Sequence, residues 1–341
     1  MDLLKSIPLK YKLPGIVVGL ALVVGAGLQV VNSIEFRLAA TDMAMSEIDA
    51  TGHARKAALI DWYENNISFL RTMSVAPKIV ASAGEFSKSL GEVPGSATDL
   101  RKAYITDNPN ALGQKKNLDF APGGGTYSTL HAEVNPWVRK LETMNDFYDF
   151  FLVDTQGTVV YTLAKEDDYL SNVLSGPTSD TELAKVVAQA MQAKPGEVFT
   201  SDLAPYAPSA GAPAMFIATP LFDKGNKLVG VLALQLNHQE FTAVVNEPTG
   251  LGDTGDAYLV GSDGKTRTNS RNAGDYDVFF ALPSSDALTT ALTGEPILSP
   301  DATGWDGAEA MLSSEPLTEL VGTGWTLVIE KERAEVMAAS T

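Results

Sequence analysis

At 341 residues the chain suits roughly two domains, on a prior of ~150 residues per domain. Its 25 basic and 42 acidic residues give a formal net charge of -17, a balance that repels phosphate backbones and argues against a nucleic-acid partner. Cysteine is absent, which excludes disulfides, thiolate chemistry and sulfur-ligated zinc, and the 3 histidines, His53, His131 and His238, are far apart in sequence.

The first element is apolar. Pro14 to Val31 carries no charge and a single polar side chain, Gln29, and its length sits at the short end of what spans ~30 Å of hydrocarbon. Lys5, Lys10 and Lys12 precede it, and Glu35, Arg37, Asp42 and Glu47 follow. The positive-inside rule then assigns 1–12 to a cytoplasmic tail, 13–31 to one transmembrane helix and the remainder to the outside. A cleaved leader ending near Ala39-Ala40 is the competing reading. The apolar core is longer than the ~7–15 residues usual in leaders, which favours an uncleaved anchor in the inner membrane.

Residues 32–90 predict a long amphipathic helix. Leu59, Tyr63, Ile67, Leu70 and Met73 fall on one face, with Arg55, Lys56, Asp61 and Glu64 between them, and a kink is expected near Pro77. Part of this helix is expected to form a homodimer seam. Gly91 to Ser96 breaks the pattern, and a first unit occupies 91–246. Its strands are expected at Tyr148–Asp154, Thr158–Leu163, Ala214–Thr219 and Leu228–Leu236, with Gln156-Gly157 as a hairpin turn and a helix over Thr181–Met191. That order predicts a PAS-like α+β unit, with about five antiparallel strands and helices on one face. A shorter copy occupies 247–330: AYLVGSDGKTRTN, from Ala257, parallels FFLVDTQGTVVYT, from Phe150. Further strands are expected at Ala308–Leu317 and Trp325–Glu330, and an exit helix over 331–341.

Several strings resemble the double Cache sensor domain of bacterial transmembrane receptors, most of all that of methyl-accepting chemotaxis receptors. They are YITDNPNALG from Tyr104, YSTLHAEVNP from Tyr127, YDFFLVD from Tyr148, VYTLAKEDD from Val160, Gly176-Pro177, DLAPYAP from Asp202, and GLGDTGDAYLVGSDGKTRTNSR from Gly250. The resemblance covers roughly 35–335. Asn135 stands where similar chains often carry a second histidine before the proline, so no histidine pair is expected there. The Arg-x-Trp-Tyr segment of amino-acid-binding relatives has no counterpart, since Trp62-Tyr63 follows Asp61 within the long helix.

The resemblance implies a ligand site in a concavity of the membrane-distal sheet, between Tyr148 and Gln235. The residues of that stretch mix aromatic and polar groups, as small-molecule pockets do. The candidates are Tyr148, Tyr161, Lys165, Asp168, Asp202, Tyr206, Phe216 and Gln235, with Lys165 or Asp202 set to pair with a charged ligand head. For the aromatics taken singly, core packing explains them as well; for Lys165 to Asp168, so does a solvated turn. Gly123 to Thr126 lacks the Gly-Lys-Ser/Thr ending of a phosphate loop, and Asp253, Asp256 and Asp263 depart from calcium-loop spacing. With no nucleophile elbow and no zinc-protease helix, the chain is not expected to be an enzyme, and no cofactor or metal is expected. The reading is signal input: a small metabolite, a membrane and a second copy of the chain are the expected partners. A chemoreceptor output comes first, a histidine kinase or nucleotide cyclase second, and a tethered periplasmic enzyme or scaffold is the alternative of another class.

Overall fold

A computed structural model of the chain describes residues 8–93 and 97–338. Most of the expected 1–12 tail, part of the break at 91–96 and the end of the exit helix lie outside the described residues.

The apolar segment and the amphipathic helix form one element. Helix α1 (Leu9–Ser74) runs 66 residues without a break, about 100 Å at ~1.5 Å per residue. Its first part, from Leu13 to Leu38, leaves its apolar side chains exposed, and its best window reaches a mean hydropathy of 2.1. Beyond that, Ile48 is buried, and Leu59, Tyr63, Ile67 and Leu70 are buried as the spacing predicts. Met73 is only half-buried. Arg55 differs from its expected place on the polar face: it is 5% exposed, and its guanidinium accounts for that burial. It donates to the carbonyls of Val245 at 2.7 Å, Thr249 at 2.9 Å and Val244 at 3.3 Å, and also to that of Glu247. Instead of a kink near Pro77 there is a stop. Ala76 is extended, as a residue before proline prefers, and Pro77 opens helix α2 (Pro77–Gly91) at its first position.

After α3 (Ala97–Ile105) and α4 (Gly125–Asn145) comes the distal sheet. Its strands are β1 (Phe147–Val153), β2 (Val159–Thr162), β3 (Phe199–Thr200), β4 (Ala204–Tyr206), β5 (Ala212–Phe222) and β6 (Leu228–Leu236), with α5 (Glu182–Ala190) between β2 and β3. The order is β2-β1-β6-β5-β3, with β4 also on β5, and every pairing is antiparallel. Helices cover both faces rather than one. Leu152, Ile217 and Leu234 pack with residues of α1, α2 and α4, while Phe151, Phe216 and Ala233 pack with α5. The near-continuous burial of β5 and β6 is the sequence sign of that double cover.

Helix α6 (His238–Val245) leads to the proximal module. There β7 (Asp256–Val260), β8 (Ile297–Thr303), β9 (Glu309–Pro316) and β10 (Thr326–Glu332) form an antiparallel sheet in the order β7-β10-β9-β8. Lys265 to Asn269 is not a strand. It makes isolated bridges, Thr266 to Val260 and Lys265 to Ala281, because segment 262–285 folds over the sheet. Helix α7 (Asp286–Ala291) covers the same face, whereas Leu259, Met311 and Ile329 share the α1 core. Helix α8 (Arg333–Ala338) begins after β10, and Lys331 meets Glu47 of α1 at 3.2 Å. The end of β10 and α8 thus pack back onto α1.

Candidate ligand site

Asp149 is a carboxylate inside the apolar run of β1, where burial without partners is costly. Its Oδ1 accepts the N–H groups of Phe150 at 2.7 Å and of Leu163 and Ala164 at 2.8 Å each, and its Oδ2 accepts Thr162 Oγ1 at 2.6 Å. These bonds pin the chain that follows β2. Lys165 then takes φ 59°, a left-handed conformation uncommon for a residue with a side chain. The turn sends neighbouring side chains to opposite sides of the sheet. Lys165 goes to the α4 side, where Nζ donates to Asn135 Oδ1 at 2.8 Å and to the Leu163 carbonyl at 3.2 Å. The Tyr161 hydroxyl donates to the same Asn135 oxygen at 2.9 Å.

Glu166 and Asp168 serve the other side. Tyr148 and Ser209 donate to the two Glu166 oxygens at 2.6 and 2.5 Å, and the Tyr206 hydroxyl donates to Asp168 Oδ2 at 2.7 Å. Tyr206 meets Phe216 edge-on, with ring centroids 4.9 Å apart. Phe216 lies opposite Gln235, and Gln235 opposite Asp149, in one row across β5, β6 and β1. Gln235 Nε2 reaches Ser209 Oγ at 3.5 Å, which closes the ring of contacts.

Among the described residues, two buried acceptors of this ring have no donor: Asp168 Oδ1 and Gln235 Oε1. A buried acceptor without a partner costs ~1–3 kcal/mol, so the place is short of donors. Burial pushes the Asp168 carboxyl up to about 7 against the pull of the Tyr206 hydrogen bond, with the Glu166 charge adding to the rise. Burial likewise raises Glu166, and it raises Asp149 together with the nearby Asp168 charge. Lys165 moves the opposite way: burial lowers it to about 7, while Asp149 and Asp119 hold it up. The arrangement sets buried acceptors and three carboxyl groups beside aromatic walls.

Of the residues expected from sequence, Tyr148, Asp168, Tyr206, Phe216 and Gln235 come together here. Tyr161 and Lys165 sit across the sheet on Asn135. Asp202 stands apart, its carboxylate held by Arg267 and by Trp325 Nε1 at 2.6 Å. Sequence reasoning passed over Asp149, Glu166 and Ser209. An acid set directly before the apolar run of YDFFLVD is the available sign for Asp149. A surface groove of ≈ 590 Å³ between α2 and the β5–β6 hairpin is apolar and lies at the far end of these strands from Gln235. Asp49, His53 and Glu315 bring ligand atoms within 4.8 Å of one another. His53 is exposed and Lys56 also reaches Glu315, at 3.5 Å, as expected of a surface ion-pair network.

The family model of the Cache domain matches residues 128–340, from α4 through both sheets. The chain belongs to the Cache domain family. This Cache protein is 25% identical over 257 residues to a probable chemoreceptor, y4sI, of Sinorhizobium fredii (strain NBRC 101917 / NGR234). The match covers 74% of the chain and 31% of that relative, so the chain spans less than a third of its length. Among solved structures, the extracellular domain of a putative histidine kinase, vpHK1S-Z8, superimposes with a TM-score of 0.53 at 10% identity, covering 90% of this chain and 96% of that one. The ligand-binding domain of the Pseudomonas fluorescens chemoreceptor CtaA, in complex with L-isoleucine, gives 0.49 at 14% identity, covering 89% and 98%. The Cache assignment agrees with the two antiparallel modules on a long helix.

Proposed function

We propose that this Cache domain is the extracytoplasmic input region of a transmembrane chemoreceptor, and that its distal module binds a small metabolite through an ammonium or other N–H-rich group. The observation that carries the ligand class is the pair of buried, unpartnered acceptors, Asp168 Oδ1 and Gln235 Oε1, beside Tyr206 and Phe216. An incoming N–H donor satisfies both and offsets the acid excess of Asp149, Glu166 and Asp168. The chemoreceptor output is supported by the y4sI relative. The membrane anchor is supported by the exposed apolar start of α1. Phe36, Leu38 and Met43, exposed on α1 beyond the 13–31 segment, support a seam between two copies. Ligand binding then shifts the dimer only by its differential affinity for two arrangements.

The test is a thermal-shift screen of the full chain in detergent against amino acids, amines and organic acids. A ligand at ~100 times its dissociation constant adds about 2.7 kcal/mol, a shift of several degrees. A hit from the amines or amino acids that disappears in Asp168→Asn and in Gln235→Leu supports the site. Hits confined to organic acids, or hits that survive both substitutions, refute it.

A further inference from the structure

The proximal sheet repeats the register that builds the distal site. Asp149 on β1 lies opposite Gln235 on β6, and Asp256 on β7 lies opposite Glu330 on β10. Each aspartate Oδ1 accepts the N–H of the next residue, Phe150 at 2.7 Å and Ala257 at 2.8 Å. The paired strings FFLVDTQG and AYLVGSDG follow directly. Where the distal row has an amide, the proximal row has a second acid.

Both proximal acids are buried, Asp256 at 1% and Glu330 at 5% exposure. Among the described residues, the donors that reach them are neutral. Asp256 accepts from Ala257 N, Ser270 Oγ at 3.1 Å and the Tyr276 hydroxyl at 2.9 Å; Glu330 accepts from the Tyr258 hydroxyl at 2.7 Å and Trp305 N at 3.0 Å. The Arg55 guanidinium, whose field reaches Asp256, is engaged by the carbonyls of residues 244–249. Burial pushes the Glu330 carboxyl up to about 7.

Aromatic rings gather around the pair. Tyr258 and Tyr276 meet at 6.1 Å, Tyr276 and Trp305 at 5.0 Å, Tyr276 and Phe280 at 5.7 Å, and Phe280 and Trp305 at 6.4 Å. Ser314 of β9 lies in the row Tyr258–Val328–Ser314 on this same face, 1% exposed, and its hydroxyl has no partner among the described residues. Gly274 to Phe280 lines a surface pocket of ≈ 400 Å³ that includes Tyr276 and Phe280, with Asp275 and Asp277 beside them.

We propose that the membrane-proximal module holds a second ligand site, for a small methylated ammonium ion, at the Gly274–Phe280 pocket, where the rings of Tyr276, Phe280 and Trp305 stand next to the buried Asp256–Glu330 pair. The two carboxylates already have hydroxyl and amide donors, so what this place lacks is positive charge rather than N–H groups. A methylated ammonium supplies charge without donors, and its methyl groups lie against aromatic faces, Trp being the best of them. The distal site makes the opposite demand, because Asp168 Oδ1 and Gln235 Oε1 require N–H donors. An oxygen on the same ligand gives the Ser314 hydroxyl its missing partner.

Calorimetric titration of the full chain in detergent, with tetramethylammonium chloride and choline chloride against a sodium chloride blank, tests this. Saturable binding is expected in the wild type and in Asp168→Asn, weakened by about tenfold or more in both Glu330→Gln and Trp305→Leu. Ser314→Ala is expected to weaken choline alone. The near-isosteric Glu330→Gln guards against a folding defect in Trp305→Leu, and a melting curve on each variant checks it. No saturable heat with either salt overturns the proposal. So does a heat that persists in both proximal variants, or one that vanishes in Asp168→Asn.

Discussion

The Asp202 carboxylate of the distal module takes both edges of the Arg267 guanidinium of the proximal module, Nε to Oδ1 at 2.9 Å and Nη2 to Oδ2 at 2.7 Å. The pair has fork geometry, and Trp325 Nε1 donates to the same carboxylate at 2.6 Å. This contact joins the two modules directly, side chain to side chain.

Asp202→Ala leaves Arg267, 4% exposed, with Asp263 at 3.0 Å as its remaining acid. Breaking a buried pair costs ~3–5 kcal/mol, and the partial exposure of Asp202 puts the expected loss nearer about 2 kcal/mol. Urea unfolding measures it. Asp202→Asn is expected to lose less, since an amide oxygen still accepts from Trp325. A loss of only a few tenths in Asp202→Ala would mean that the modules do not rely on this bridge.

Arg55 ties α1 to the connection between modules through the carbonyls of residues 244–249. Arg55→Ala removes those donors and is expected to cost about 3 kcal/mol, in the range for a network of buried charged hydrogen bonds. Hydrogen exchange locates the effect: faster exchange at 244–251, with β5 and β6 protected as before. Uniform loss of protection would assign Arg55 to the general core.

Glu330 sets a pH dependence. Its folded value is about 7 against an ordinary 4.5. The folded protein therefore holds a proton in a range where the unfolded chain has lost it. The contribution is complete below about 4.5 and is lost as pH rises through about 7. Glu330→Gln keeps the site neutral throughout, so its stability relative to wild type is expected to rise between about pH 5 and pH 8, by up to ~3 kcal/mol. His131, which burial holds well below its usual range, titrates alike in both proteins and cancels in the difference. Paired melting curves across that range read the sign directly, and a flat difference would show that Glu330 ionises without cost.

The start of α1 makes a prediction about location. Replacing Leu22 and Val24 with Asp adds roughly 6 kcal/mol to insertion at the middle of the span. Carbonate extraction should keep the wild type with the membrane and release the variant. Release of the wild type as well, with a shortened N-terminus, would favour the cleaved-leader reading.

Much of this architecture was readable because its signals are local. The apolar run at Pro14–Val31, the 3.6-residue spacing from Leu59 to Leu70 and the strand at Leu228–Leu236 all depend on neighbours along the chain. The break before Pro77 was mistaken for a kink because the extended state of Ala76 is a backbone choice that proline biases without dictating. Strand β8 was missed because its burial is poor and irregular, leaving no alternation to read. The site was harder to read for a related reason. Tyr206 and Asp168 are joined through a hydrogen bond, and Phe216 and Gln235 through strand register; neither relation has a sequence period. Asp202 looked like a ligand group because an acid beside aromatics looks the same whether its cation is a metabolite or Arg267 of another module. Arg55 looked solvated because periodicity cannot show carbonyls arriving from residues 244–249.

Both sheets lay one face on the same unbroken helix, Leu152 and Ile217 from the distal module and Leu259 and Ile329 from the proximal one. Each module therefore holds α1 through its own sheet, in addition to the direct Asp202–Arg267 link between them. With both proposed sites occupied, such a rod would combine them by adding free energies, so that a weak occupant at one changes the dose needed at the other. On the function proposed above, a receptor wired this way would report a weighted sum of its chemical surroundings, with the weights written in how firmly each sheet grips the helix.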